Sequence, residues 1–141
     1  MKDLSNKNII HICKDGTEYI VFRKLLEYPE ISHCYTLRKN GMSFKRYGEN
    51  NSLLYQSYDK ISKVLGFERD GIVKPYQTHT DRIEKVTTKG EEFTEVDGVV
   101  TNKKGITLCT TSADCTSLIF FDPIKKVIAD VHSGWRGNMI Y

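Results

Sequence analysis

Apolar positions fall into short runs separated by polar turns, and most runs carry the two-residue period of strands. "KNIIHICKDGTEYIVFRKL" sets two β-rich runs on either side of Asp15-Gly16, a dipeptide suited to a tight turn, and predicts a hairpin. "EISHCYTLRKNGMSF" predicts another strand and then a loop punctuated by Asn40-Gly41. In "DKISKVLGF", Ile61, Val64 and Leu65 recur at helical spacing, and Gly66 is placed to stop the helix. "GIVKPYQTHTDRIEKVT" predicts two strand segments around a polar turn holding His79. The densest region follows, with "GVVTN", "ITLCTT", "SLIFFD" and "KVIADVHS" as short β-rich runs joined by "NKKG", "SADC" and "DPIKK". "SLIFF" and "VIADV" are apolar enough for central strands covered on both faces. A second helix is expected to start after Gly134. Strands dominate, so the expected fold class is α+β, a mixed β-sheet with flanking helices, in a single domain over residues 1–141.

Composition narrows the function classes. The chain has 141 residues, 39% hydrophobic and 28% charged, ordinary values for one globular core. The net charge is +3, and its basic residues are scattered among acidic ones, so no nucleic-acid groove is indicated. No apolar run reaches the length of a membrane span. The N-terminal stretch lacks the apolar region and cleavage site of a signal peptide, so the expected location is the cytoplasm. The four cysteines are then expected to be reduced, and no C-x-x-C is present to suggest a zinc knuckle or a redox motif.

Candidate chemistry gathers at predicted strand ends. A single His in a strand is usually structural, and a lone Cys in apolar surroundings is usually a small core residue. His79, Cys115 and His132 differ in sitting beside small or polar residues, in "QTH", "ADC" and "VHSGWRG", where a rigid sheet presents side chains to a cleft. Glycines on both sides of Trp135-Arg136 permit close approach of a ligand. Arg136 could hold a phosphate or carboxylate by a two-pronged contact, and Trp135 could stack on a base or anchor the core. One Cys and two His support two chemistries: a Cys–His nucleophilic pair, or a three-ligand zinc site with one position left for water or substrate. Their wide separation excludes a zinc finger, but spacing alone does not choose between nucleophile and ligand.

The motifs "QTH", "VDGVVTNKKGITLCTTSADCTSLIFFDP" and "VIADVHSGWRG" resemble the YfiH-like family, also called the laccase-domain or polyphenol-oxidase-like family, now viewed as purine nucleoside enzymes. The block from Asp97 to Gly137 carries the likeness most strongly. "TLRKNGMSF" resembles a family loop in part, with Asn40 where a glycine is usual, and the family's S-L-N-L signature is missing from the helical segment. The resemblance implies a YfiH-like, Cys-hydrolase-like fold. It also implies one zinc ion held by His79, Cys115 and His132. The activities implied are phosphorolysis of adenosine, inosine or guanosine to base and ribose 1-phosphate, adenosine deamination, and methylthioadenosine cleavage.

By the same resemblance, Arg38 and Ser43 are expected to contact phosphate, and Gln77 to orient His79 or substrate. Asp114 is expected either to shuttle a proton or to fix the turn before Cys115. One Cys and two His cannot build a multicopper cluster, so copper is the less favoured metal. Family members continue well beyond H-x-G-W-R-G. The expectation is therefore of a fold incomplete at its C-terminus: a fragment, a shortened gene product, or half of an assembly completed by a second copy or a complementing C-terminal chain. A Cys–His hydrolase acting on an amide or cell-wall precursor, and an inactive remnant or binding module, are the competing readings.

Overall fold

Residues 2–46 and 48–139 are described by the structure, a computed structural model. The chain packs as two compact units, one ending at Gly66 and the other beginning at Phe67.

The first unit starts with the hairpin that the alternating pattern predicts. Strands β1 (Ile9–Lys14) and β2 (Thr17–Phe22) pair antiparallel from Ile9↔Phe22 to Lys14↔Thr17. Asp15 and Gly16 connect them with φ of 50° and 73°. Two consecutive positive φ values define a type I′ turn, whose twist matches that of the strands. Strand β3 (Tyr35–Thr36) adds to the other edge of β2, far shorter than the run around it suggested. Helix α1 (Ser52–Leu65) begins well before the periodic residues seen in sequence. It buries Leu54, Ser57, Tyr58 and Ile61, a stripe at three- and four-residue steps. Gly66 ends it in the left-handed conformation (φ 76°) and donates its N–H to the Ser62 carbonyl.

The second unit is built on a four-stranded mixed sheet. Its strands are β5 (Ile83–Lys85), β6 (Gly98–Thr101), β8 (Thr116–Asp122) and β9 (Val127–Ser133), in the order β5-β6-β9-β8. β5 and β6 run parallel; β6–β9 and β9–β8 are antiparallel. A parallel pair, β4 (Ile72–Val73) with β7 (Thr107–Leu108), lies in the same unit. Val73, Val86, Val96, Val99 and Ile106 form the core, with Phe93 and Leu108 packed against it. Helix α2 (Trp135–Met139) follows β9, as expected after Gly134. Among the described residues no helix is long and apolar enough to cross a membrane.

One strand expectation is corrected. "SLIFF" lies in β8, which is an edge strand with Leu118 and Phe120 exposed, Phe120 to 53%. Its apolar run reflects one uncovered face and not two covered ones.

Candidate metal centre

β9 alternates so that Asp130 and His132 point to the same side of the sheet. His132 is buried near the end of that strand. Its backbone N–H donates to the Asp97 carbonyl at 2.7 Å, and its ring Nδ1 lies 2.7 Å from Asp97 Oδ2. The ladder and the side chains thus join the same two residues. Asp97 directly precedes β6. Its Oδ1 accepts the backbone N–H groups of Thr78 and Thr80, and its Oδ2 accepts that of His79. This three-amide cradle holds His79 at φ 64°, a conformation costly for a residue with a Cβ unless its surroundings enforce it. Burial alone would raise the Asp97 carboxyl. The donated bonds from Thr80, His132, Thr78 and His79 outweigh it and keep the group below the ordinary carboxylate range.

Cys115 stands immediately before β8, whose first residue pairs with Ser133 at the end of β9. The loop leading to it is fastened twice. Asp130 accepts from the Thr110 N–H and hydroxyl at 2.7 and 2.8 Å, and burial pushes the Asp130 carboxyl up. Gln77 brackets Thr111, accepting its N–H and donating Nε2–H to its carbonyl, both at 2.8 Å. The Ser112 hydroxyl donates to the Cys115 carbonyl. Gln77 therefore links the segment carrying His79 to the loop carrying Cys115.

These constraints bring His79, Cys115 and His132 together. One ligand atom from each lies within 4.8 Å of the other two, and the imidazole rings meet edge to face at 5.0 Å. Gly134 closes the cluster from behind. A Cβ there would stand 2.9 Å from His79 Cδ2 and 3.7 Å from the Cys115 sulfur, so the cluster depends on the missing side chain. Burial, reinforced by the Asp114 charge, raises the Cys115 thiol, and the Trp135 backbone N–H opposes the rise. The Cys115 thiol lies 3.6 Å from Asp114 Oδ1.

The other residues singled out by sequence are distributed as follows. Asp114, Cys115, Thr116, Ser133, Trp135 and Asn138 line a shallow depression beside the cluster. Trp135 is 66% exposed, so its reading as a core anchor is corrected; the Arg136 guanidinium lies 5.5 Å from its ring. Arg38 and Ser43 belong to the first unit, where the Ser43 N–H donates to Ser57 Oγ. Asp97, Thr111 and Asp130 organise the centre without having been singled out as site residues. Asp97 stood inside the quoted "VDGVV", but nothing local ties an aspartate before a strand to amides 17 to 19 residues away.

The donor set fits a metal ion. Three donors of two kinds converge, and Asp97 holds the proton-bearing nitrogen of His132, leaving the other nitrogen as a lone-pair donor. An α+β mixed-sheet protein with two His and one Cys clustered at its sheet end is the class that fold and site define. The family model described as "Multi-copper polyphenol oxidoreductase laccase" matches residues 32–140, and the chain belongs to that family, the YfiH-like family.

A purine nucleoside phosphorylase of Bacteroides thetaiotaomicron is 30% identical over an alignment covering 94% of this chain and 56% of its own length. The Bacillus subtilis purine nucleoside phosphorylase YlmD is 28% identical, covering 78% of this chain and 46% of its own. The solved YlmD of Geobacillus stearothermophilus matches with a TM-score of 0.71 at 21% identity, over 92% of this chain and 54% of that one. The α+β fold is theirs. The chain spans about half the length of these two curated relatives.

Proposed function

We propose that this chain carries the zinc centre of a purine nucleoside phosphorylase, with phosphate and adenosine, inosine or guanosine as substrates. Deamination of adenosine and cleavage of methylthioadenosine are the accompanying activities. The single observation that carries the reading is the convergence of His79, Cys115 and His132 with Asp97 behind His132. The names borne by the relatives point the same way. Zinc bound there supplies concentrated positive charge to polarise a substrate atom.

The remaining work falls to the chain's own side chains. Asp97 keeps His132 in one tautomer and the His79 loop in place. Trp135, exposed beside the cluster, offers a face for the purine. Arg136 supplies charge for phosphate. Asp114 is close enough to the cluster to carry a proton to or from the departing base. Phosphorolysis forms the bond from phosphate oxygen to the anomeric carbon, breaks the glycosidic bond, and leaves the electron pair on the base. Positioning and charge stabilisation supply most of the rate.

Cys115, His132 and Asp97 also stand in the order nucleophile, base and orienting carboxylate, which favours a thiol hydrolase as a second reading. The raised Cys115 thiol and the third donor from His79 weigh against it.

The test is metal content with turnover. Zinc-loaded protein should release base from a nucleoside only with phosphate present, and Cys115→Ser should lose turnover together with the one zinc held by the His79–Cys115–His132 cluster. A chelator-resistant activity that Cys115 alkylation abolishes would replace this reading with the hydrolase. Zinc binding without any base release would reduce it to a binding module.

A further inference from the structure

The β1–β2 hairpin holds a second cluster of donors. His11 and Cys13 are two residues apart on β1 and so project from the same face; Glu18 is the cross-strand partner of Cys13. One ligand atom from each lies within 4.8 Å of the other two. Donors of a tetrahedral zinc stand roughly 3.3–3.8 Å apart, given metal–donor lengths of about 2.0–2.3 Å, so small side-chain rotations would close the set.

Two of the three donors are nearly inaccessible. The His11 and Glu18 side chains are 4% and 8% exposed, and Nε2 of His11 lies 2.7 Å from Glu18 Oε1. The third, Cys13, is exposed and open to an incoming ion. The other Glu18 oxygen takes the Lys39 ammonium at 2.8 Å, so a metal would take the place of the His11 contact at Oε1. Behind His11, Asp3 Oδ1 lies 3.6 Å from Nδ1. Nδ1 accepts the Leu4 backbone N–H at 3.3 Å, so a metal on Nε2 requires the ring proton to move to Nδ1, where Asp3 is the nearby carboxylate to receive it.

We propose that His11, Cys13 and Glu18 form a second divalent-metal site of the zinc class, distinct from the His79–Cys115–His132 centre. Binding releases the Cys13 thiol proton to solvent and leaves the His11 ring proton on Nδ1, and Lys39 keeps its contact with Glu18.

Cobalt(II) tests it on the Cys115→Ser chain, which lacks the thiolate of the first centre. That chain should still show a thiolate-to-cobalt absorption band and bind about one cobalt. Adding Cys13→Ser should remove the band. Zinc should also abolish alkylation of Cys13 in the unmodified chain, read from the Cys13 peptide by mass spectrometry. A Cys115→Ser chain without the band, a band that survives Cys13→Ser, or Cys13 labelling unchanged by zinc would each overturn the proposal. The first centre is not involved, so its own test can succeed or fail separately.

Discussion

His132 and Asp97 are joined at 2.7 Å between Nδ1 and Oδ2, and again at 2.7 Å between the backbone N–H of His132 and the Asp97 carbonyl. Asp97→Asn keeps the volume but replaces one acceptor oxygen with a donor. Zinc affinity should fall about 10- to 100-fold, measured by competition with a chromophoric chelator. Denaturant unfolding should show a loss of about 1–3 kcal/mol from unmatched buried donors. Unchanged affinity would mean that the carboxylate does not govern the ligand set.

Gly134→Ala tests the space that His79 occupies beside Cys115 and His132. The new methyl group would meet His79 Cδ2 at 2.9 Å and displace that ring, with His132 Cε1 at 3.5 Å and the Cys115 sulfur at 3.7 Å. Metal affinity should drop, alongside a loss of about 1–3 kcal/mol in thermal stability from overpacking a buried position. Equal zinc binding by the two proteins would show that His79 does not need its present position.

Gln77→Ala removes both arms of the bracket on Thr111. The expected cost is about 1–3 kcal/mol in denaturant unfolding, with the loop before Cys115 exchanging its amide hydrogens faster. Gln77→Glu keeps the acceptor for the Thr111 N–H and should lose less.

His33 gives the first unit a pH response. Burial holds its pKa below the ordinary value, and its Nε2 receives the Phe22 N–H at 2.8 Å, a bond only the neutral ring can accept. Below pH about 6.5 the unfolded chain binds more protons than the folded one. Stability should therefore decline as pH falls from about 6.5 towards the lowered folded value. His33→Gln should flatten that slope in thermal melts from pH 7 to 5; an identical slope would remove His33 as its source.

Phe120 on the edge strand β8 is exposed, so Phe120→Lys should change stability by about 0.5 kcal/mol or less and slow aggregation, followed by light scattering.

Much of this was legible where the physics is local. The Asp15-Gly16 turn and the Gly66 stop depend on the conformational freedom of a few residues and can be read directly. The strand-end placement of Cys115 and His132 followed from the small and polar residues flanking apolar runs. Long-range partners set what was not legible. β8 reads as doubly covered because side-chain composition does not reveal whether a neighbouring layer exists. β3 and β7 are only two residues long each because pairing, not propensity, limits them. Asp97 is the clearest case: its role appears only when β9 and the His79 loop arrive at its two oxygens.

The three amides and one imidazole gathered by Asp97 also bear on how an ion would come and go. The bonds that hold the ring of His132 and the backbone at His79 come from the chain's own carboxylate, so little rearrangement is left for loading. Uptake at this centre should behave as exchange into a ready-made seat, reversible on stripping and refilling, and not as the event that makes the polypeptide fold.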